Sequence, residues 1–168
     1  MSAIVEDYMR RKVAGALTGC LTIVAGLSGQ AEEPQADFET VVAEDLDWTP
    51  IPDGLGAAFT LVYGDPEEAG TYVIRVRFPA GVMDYPHAHS QDRHVTVLEG
   101  VWYAGTGSNF APASAAVLRA GSYMFHPAGG VHWDGAAGDE DAIVQIIGVG
   151  PVATQSHHAN DTDWVKVK

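Results

Sequence analysis

Hydrophobic and polar residues alternate in short runs through most of the chain after residue 50. The clearest run, residues 71–78, is rich in β-branched and aromatic residues, as half-buried strands are. Further strands are predicted over residues 59–63, 95–103 (a strand pair or one bent strand), 115–118, 122–125 and 142–147. Glycine and proline interrupt the runs, and no segment after residue 31 keeps a helical period. This pattern predicts one all-β domain, a sandwich or barrel.

The first thirty residues follow a different pattern. A basic cluster at residues 10–12 precedes an apolar run at 13–26, and small residues flank Gln30 in Gly29-Gln30-Ala31. Basic, apolar and small is the order of a secretory signal. We therefore expect a cleaved signal peptide over 1–31, a barrel domain over 32–168, and export to the periplasm or the medium. An N-terminal membrane anchor is the alternative, although the apolar run is short for a membrane span.

Cys20 is the only cysteine of the chain. The tetrapeptide ending there, Leu17 to Cys20, is similar to a bacterial lipoprotein processing site, which makes a lipid anchor on Cys20 the alternative form of export. Against this, the apolar run continues through residues 21–25, whereas a mature lipoprotein should begin with more polar residues. Without Cys20 the exported domain has no disulfide and is held by its core alone.

Composition limits the partners. Hydrophobic residues make up 46% of the 168 residues and charged residues 18%, which is typical of a packed globular domain. The formal net charge is −13. Binding to nucleic acid or to acidic membranes requires clustered Lys and Arg and is therefore not expected. The mature form is expected to have no membrane span. A small-molecule ligand is the expected partner, and a homodimer remains open.

Four of the seven histidines occur in two short segments, as His87 and His89 and as His126 and His132. Residues two apart in a strand face the same side, so His87 and His89 can direct two imidazoles at one point. Convergent neutral nitrogens are what a transition metal requires. Taken alone, the pair could also be two solvated histidines before a turn.

The spacing around these histidines is more specific. Gly81 is followed after five residues by His87-Ala88-His89, and Gly121 is followed after five residues by Pro127-Ala128-Gly129 and then by His132. These two segments resemble the two sequence motifs of the cupin superfamily, over roughly residues 70–150. The run 95–107 resembles small single-domain bacterial cupins, including ChrR-like barrels. The resemblance implies a jelly-roll barrel with His87, His89 and His132 aimed into its mouth as metal ligands.

The chain departs from the family pattern at two positions. The family's motif glutamate falls at Arg93 here, or at His94 with a longer spacing, and the last residue of the second motif is Ala136 instead of asparagine. Neither Arg93 nor His94 is a carboxylate, so the resemblance implies a three-histidine site.

Arg93 should not point directly at a bound metal, because a guanidinium about 4 Å from a dication would cost several kcal/mol. Three other placements are therefore considered. It could turn to the rim and pair with Asp92 or Asp84. It could point into the mouth and bind the carboxylate of a substrate. It could also displace the metal and leave a metal-free barrel.

Three further residues are candidates for an additional ligand or for supporting the ligands. Gln145 lies in an apolar strand, where its amide could face the metal or bond to a neighbouring strand. His94 could ligate, although alternation puts it on the face opposite Arg93. His126 is interpreted as a group beside the ligands or at the rim.

Several functions fit this site. Imidazole ligands suit Zn, Fe, Mn, Ni or Cu. One function is a metal-dependent enzyme acting on a small organic substrate, as a dioxygenase, isomerase, lyase or hydrolase. The alternatives are a non-catalytic metal-binding or ligand-sensing module and a metal-free structural barrel. No catalytic residue is identified from the sequence.

Overall fold

The computed structural model describes residues 38–168, so the predicted signal segment and Cys20 lie outside the described residues. Two short 3₁₀ turns, Ala43–Asp45 and Pro112–Ser114, are the helical segments of this part. No helix among residues 38–168 is long and apolar enough to cross a membrane.

The described residues form thirteen strands, and every strand pair is antiparallel. The first six are β1 (Thr49–Pro50), β2 (Ala58–Tyr63), β3 (Gly70–Phe78), β4 (Val82–Asp84), β5 (His87–His89) and β6 (Arg93–Glu99). The others are β7 (Val101–Thr106), β8 (Ala116–Arg119), β9 (Tyr123–His126), β10 (His132–Ala136), β11 (Ala142–Gly150), β12 (Thr154–Ser156) and β13 (Trp164–Lys166). The predicted strands are confirmed, and the predicted all-β jelly-roll fold with them.

The strands form two sheets. One has six strands in the order β1-β2-β3-β11-β6-β9. The other has seven, in the order β12-β5-β10-β4-β13, with β7 paired to β10 and β8 paired to β7. Strands distant in sequence are therefore neighbours, and the two histidine segments, on β5 and β10, lie side by side.

Alternation along the central strands decides which residues enter the core. In β11, Ala142, Val144 and Ile146 are buried, whereas the residues between them are partly exposed. Trp102 on β7 and Tyr72 on β3 are the largest inward side chains of this core. Burying these apolar groups on one face of each strand is what holds the sheets together.

The run predicted over 95–103 is a pair of strands that turns at Gly100. This residue has a φ of 68°, which glycine adopts without strain. A side chain there would also collide with the backbone carbonyl of Asp141. The corner lets β6 run in one sheet and β7 in the other, and so places Arg93 and Trp102 on walls of the same cavity.

Candidate metal centre

Three histidines converge inside the barrel. His87 and His132 are register partners on β5 and β10, and His89 follows on the same face of β5. Their ring centroids are 4.3 Å apart for His87 and His132, 4.9 Å for His87 and His89, and 5.2 Å for His89 and His132. One ring nitrogen from each lies within 4.8 Å of the other two, and all three rings are largely buried. The sequence motifs thus predicted residues that the fold brings together.

Each of these rings is oriented by an oxygen at Nδ1. His87 Nδ1 lies 2.8 Å from Tyr85 O, and His132 Nδ1 lies 2.9 Å from Gly130 O. His89 Nδ1 lies 3.0 Å from Thr154 Oγ1. A carbonyl oxygen only accepts a hydrogen bond, so Nδ1 carries the proton in His87 and His132. In these two rings the Nε2 lone pair is then free to act as a ligand, and an oxygen at the other nitrogen is the usual support of a metal-binding histidine. The three residues therefore fit a transition metal.

His126 is a fourth member of the cluster. It lies at the end of β9, is 4% exposed, and its ring centroid is 3.8 Å from that of His132. Its ring stacks on Trp102 with centroids 5.9 Å apart. Neither ring nitrogen has a hydrogen-bond partner among residues 38–168. Of the two predicted placements, the rim is wrong, because His126 lies in the interior beside His132.

Arg93 points into the barrel. Its Nη1 donates a hydrogen bond to His89 Nε2, and its register partner across β6 and β9 is His126. The predicted pairing at the rim is wrong, because Asp92 instead accepts a hydrogen bond from the Ala128 amide at 2.7 Å. The two inward interpretations, contact with an anionic ligand and displacement of a metal, both remain compatible with this position.

Two carboxylates, the buried Asp134 and the partly buried Asp84, complete the site, and sequence reasoning missed their role. Asp134 lies two residues after His132 and so faces the same way; its Oδ2 is 3.8 Å from His132 Nε2. Asp84 Oδ2 is 3.8 Å from His87 Nδ1, and Asp84 Oδ1 accepts a hydrogen bond from the Asp134 amide at 2.7 Å. The His-x-Asp spacing is the sequence signal for Asp134, and for Asp84 the signal is its place three residues before His87.

Burial keeps the imidazoles neutral. Desolvation is the largest cause of a lowered pKa in all four, and it places the pKa of His87 at about 4, that of His126 at about 3 and that of His132 at about 2. The pKa of His89 is also lowered, by burial and then by the Arg93 charge. Because a protonated ring cannot ligate, this environment favours the metal-binding form at neutral pH.

The charged groups are shifted by the same environment. Burial raises the pKa of Asp134 to about 6. Burial, with help from the Asp134 charge, also raises the pKa of Asp84 well above its ordinary value. Burial lowers the pKa of Arg93, and nearby Tyr72, Asp134 and Asp84 oppose that shift. The site thus combines one cation with two carboxylates that favour the protonated state more than exposed ones do.

Two predicted ligands lie elsewhere. Gln145 is on the outer face of β11, where its side-chain oxygen accepts a hydrogen bond from Arg75 Nε at 3.3 Å, so the expected alternative of a bond to a neighbouring strand is what the fold shows. His94 is exposed, and its Nδ1 shares a hydrogen bond with the Tyr123 hydroxyl at 2.7 Å. Strand alternation explains both, because each lies one residue from an inward-facing neighbour.

The cluster lies in a cavity of about 290 Å³. Its polar wall holds the four histidines, Arg93, Asp84 and Asp134. Its apolar wall comes from the six-stranded sheet and includes Phe59, Ile74, Val76, Phe78, Val95 and Val144. An apolar pocket with a few convergent polar groups is the usual form of a small-molecule site.

Comparison with known proteins agrees with the fold. Residues 37–153 match the sequence profile of the ChrR Cupin-like domain. No curated protein matches the sequence significantly.

Solved structures share the fold at low sequence identity. The polyketide cyclase RemF from Streptomyces resistomycificus has a TM-score of 0.60 and 14% identity, with 74% of this chain and 89% of the other covered. KdgF from Halomonas sp. has a TM-score of 0.54 and 16% identity, with 68% and 96% covered. An RmlC-like cupin from Shewanella frigidimarina has a TM-score of 0.52 and 18% identity, with 67% and 91% covered. At these identities the similarity concerns the fold.

Proposed function

The chain belongs to the ChrR Cupin-like domain family, and from that premise we propose that its barrel is a metal-dependent enzyme for a small organic acid. His87, His89 and His132 would hold a divalent transition metal through Nε2. The observation that carries the proposal is that Nδ1 of each ring already has an oxygen partner. This leaves Nε2 of His87 and His132 to the metal, and Nε2 of His89 as well once Arg93 donates to another acceptor.

A bound metal would act as a Lewis acid that polarises a carbonyl or acidifies a water molecule. The surrounding residues supply the rest of the site. The apolar wall excludes water from the ligand. Asp134, whose Oδ2 lies 3.8 Å from His132 Nε2, is placed to accept or return a proton beside the metal. These features favour catalysis over passive binding, with the reaction class among oxygenation, isomerisation, elimination and hydrolysis.

Arg93 gives the site its preference for an anion. A guanidinium binds a carboxylate through two parallel hydrogen bonds, which a neutral ligand cannot accept in the same way. In the structure Arg93 donates to His89. A ligand carboxylate would replace His89 as the acceptor, and His89 Nε2 would then be free for the metal. Ligand binding and metal binding at the three-histidine point are therefore expected to support each other.

The hydrogen bond from Arg93 to His89 also favours a second candidate function, a binding module without catalysis. In this alternative the guanidinium stays in the place of the metal, and the barrel recognises a small carboxylate through Arg93 alone. The two functions differ in whether metal is required for ligand binding.

The test uses tag-free protein, because a His tag binds metal itself. Elemental analysis before and after chelator gives the metal content, and calorimetry with pyruvate and with succinate measures carboxylate binding to both forms. The enzyme proposal expects one equivalent of transition metal and carboxylate binding that strengthens with metal. Carboxylate binding that is equal with and without metal would support the binding module and contradict the enzyme. The exposed variant His94→Ala serves as the matched control for loss of a histidine.

A further inference from the structure

We propose that the barrel offers the metal a second position, formed by His126, His132 and Asp134, and that Arg93 determines which of the two positions is filled. The inference rests on the proposed function, because it concerns the same metal. The second position differs from the three-histidine point in its ligands, because the imidazole of His126 and the carboxylate of Asp134 take the places of His87 and His89.

The three groups of this second position are close together and buried. One ligand atom from each lies within 4.8 Å of the other two. His132 Nε2 is 3.8 Å from Asp134 Oδ2, and the rings of His126 and His132 are 3.8 Å apart between centroids. Two imidazole nitrogens and one carboxylate oxygen are a common ligand set for divalent transition metals.

His126 independently indicates a ligand at this place. It is 4% exposed, yet neither ring nitrogen has a hydrogen-bond partner in the described part of the chain. Buried polar atoms without partners are uncommon and costly, and a cation between His126 and its neighbours would satisfy one of these nitrogens. The three-histidine point gives no such role to His126.

Trp102 holds two of the proposed ligands in place. Its indole Nε1 donates to Asp134 Oδ1 at 2.9 Å, which leaves Oδ2 free to face His132. The same indole ring stacks on His126, with an angle of 29° between the planes. One rigid side chain therefore positions both the carboxylate and the imidazole, as residues around metal ligands commonly do.

Arg93 determines which of the two positions is available to the metal. When its Nη1 donates to His89 Nε2, that nitrogen is not available to a metal, and a cation at the three-histidine point would face a guanidinium. The second position avoids His89 and adds the negative charge of Asp134. His132 Nε2 belongs to both positions, so one ion at a time can use it. With Arg93 on His89 the metal is held by His126, His132 and Asp134.

Titration of Co²⁺ into metal-free, tag-free protein tests the inference, with the visible absorption of the bound ion as readout. The expected stoichiometry is one. In the wild-type background, His126→Leu and Asp134→Asn should each weaken binding by about tenfold or more, and by more than His89→Leu does. In an Arg93→Gln background the order should reverse, with His89→Leu the most damaging. His94→Leu, an exposed histidine, should leave the affinity unchanged.

The outcomes separate this inference from the proposed function. If His89→Leu abolishes Co²⁺ binding in the wild-type background while His126→Leu and Asp134→Asn do not weaken it, the second position is wrong and the three-histidine site stands. If neither wild type nor Arg93→Gln binds Co²⁺, the proposed metal dependence itself fails. Asp134→Asn is nearly isosteric, so the test does not depend on the folding of His126→Leu.

Discussion

Trp102 donates the hydrogen of its indole Nε1 to Asp134 Oδ1 over 2.9 Å, and both side chains are buried. The bond joins the large apolar core residue of β7 to a carboxylate two residues after a candidate ligand on β10. Core packing and the geometry of the site therefore depend on the same side chain.

Replacing this indole should cost both stability and metal affinity. Trp102→Phe keeps a ring against His126 but leaves Asp134 Oδ1 without its donor, and a hydrogen bond to a buried carboxylate contributes about 1.5–3 kcal/mol. We expect a loss of about 2–3 kcal/mol in the free energy of unfolding, measured by urea denaturation. Trp48→Phe is the control, since Trp48 is partly exposed and has Arg77 over its ring at 5.1 Å, a contact of less than about 1 kcal/mol. Equal losses in both variants would contradict the prediction.

Arg93→Glu should change metal and ligand binding in opposite directions. It restores a carboxylate at the family's ligand position and removes the donor from His89, so metal affinity should rise by about tenfold or more. Binding of succinate should fall, because a like charge replaces the counter-charge. Metal titration and calorimetry measure the two effects. Arg119→Glu makes the same change of charge at an exposed position and should alter neither affinity; a similar result for both variants would exclude a direct role of Arg93.

Stability of the metal-free protein should decrease as the pH falls from 6.5 towards 4. In the unfolded chain the histidines take up protons near their ordinary pKa of 6.5. In the folded chain these histidines stay neutral to lower pH, because the pKa of His87 is about 4 and that of His126 about 3. Each such histidine contributes about 1.4 kcal/mol per pH unit in that window. Burial raises the pKa of Asp134 from 3.8 to about 6, so between these pH values the folded chain binds this proton more readily than the unfolded chain. Asp134 therefore offsets part of the loss of stability that the histidines cause.

Urea unfolding at several pH values in the presence of chelator measures this dependence. His126→Leu should reduce the slope by about 1.4 kcal/mol per pH unit, because one buried imidazole no longer excludes a proton. The exposed-site variant His94→Leu should leave the slope close to that of the wild type. Stability that is constant between pH 4 and 6.5 would show that the cluster is not buried as described.

Gly105→Ala should destabilise the barrel through one contact. Gly105 and Trp133 are register partners on β7 and β10, and a Cβ at Gly105 would overlap the indole ring of Trp133, which is 2% exposed. Overpacking against a rigid buried ring costs about 1–3 kcal/mol. Thermal or urea unfolding measures it. In the double variant with Trp133→Leu the added cost of Gly105→Ala should be smaller, and purely additive effects would argue against the overlap.

The predicted export signal gives a separate expectation. If the basic, apolar and small order of residues 10–31 is a signal peptide, the mature chain begins near Glu32. N-terminal sequencing of protein recovered from the native host outside the cytoplasm checks this. A mature form that retains residues 1–31 would contradict cleavage, and a lipid on Cys20 would replace it with the lipoprotein alternative.

The sequence predicted what depends on local geometry. Alternation reveals strands and their buried face, so β3, β6 and β11 could be located from residues alone. The two motif spacings likewise identified His87, His89 and His132, because residues two apart on one strand share a face and the resemblance supplied the partner strand. Alternation also placed His94 away from Arg93.

The tertiary structure decided what depends on pairing between distant strands. Whether Arg93 turned outward or inward was fixed by β6 pairing with both β11 and β9, which places it opposite His126. The direction of His126 could not be read across the turn that separates it from His132. The role of Asp134 required Trp102 from another strand to bind one of its oxygens. Local alternation determines which face a side chain occupies, and turn geometry sets the register of neighbouring strands. For strands far apart in the sequence, such as β6 and β11, no local pattern states which residues pair, so only the tertiary structure determines which side chains meet.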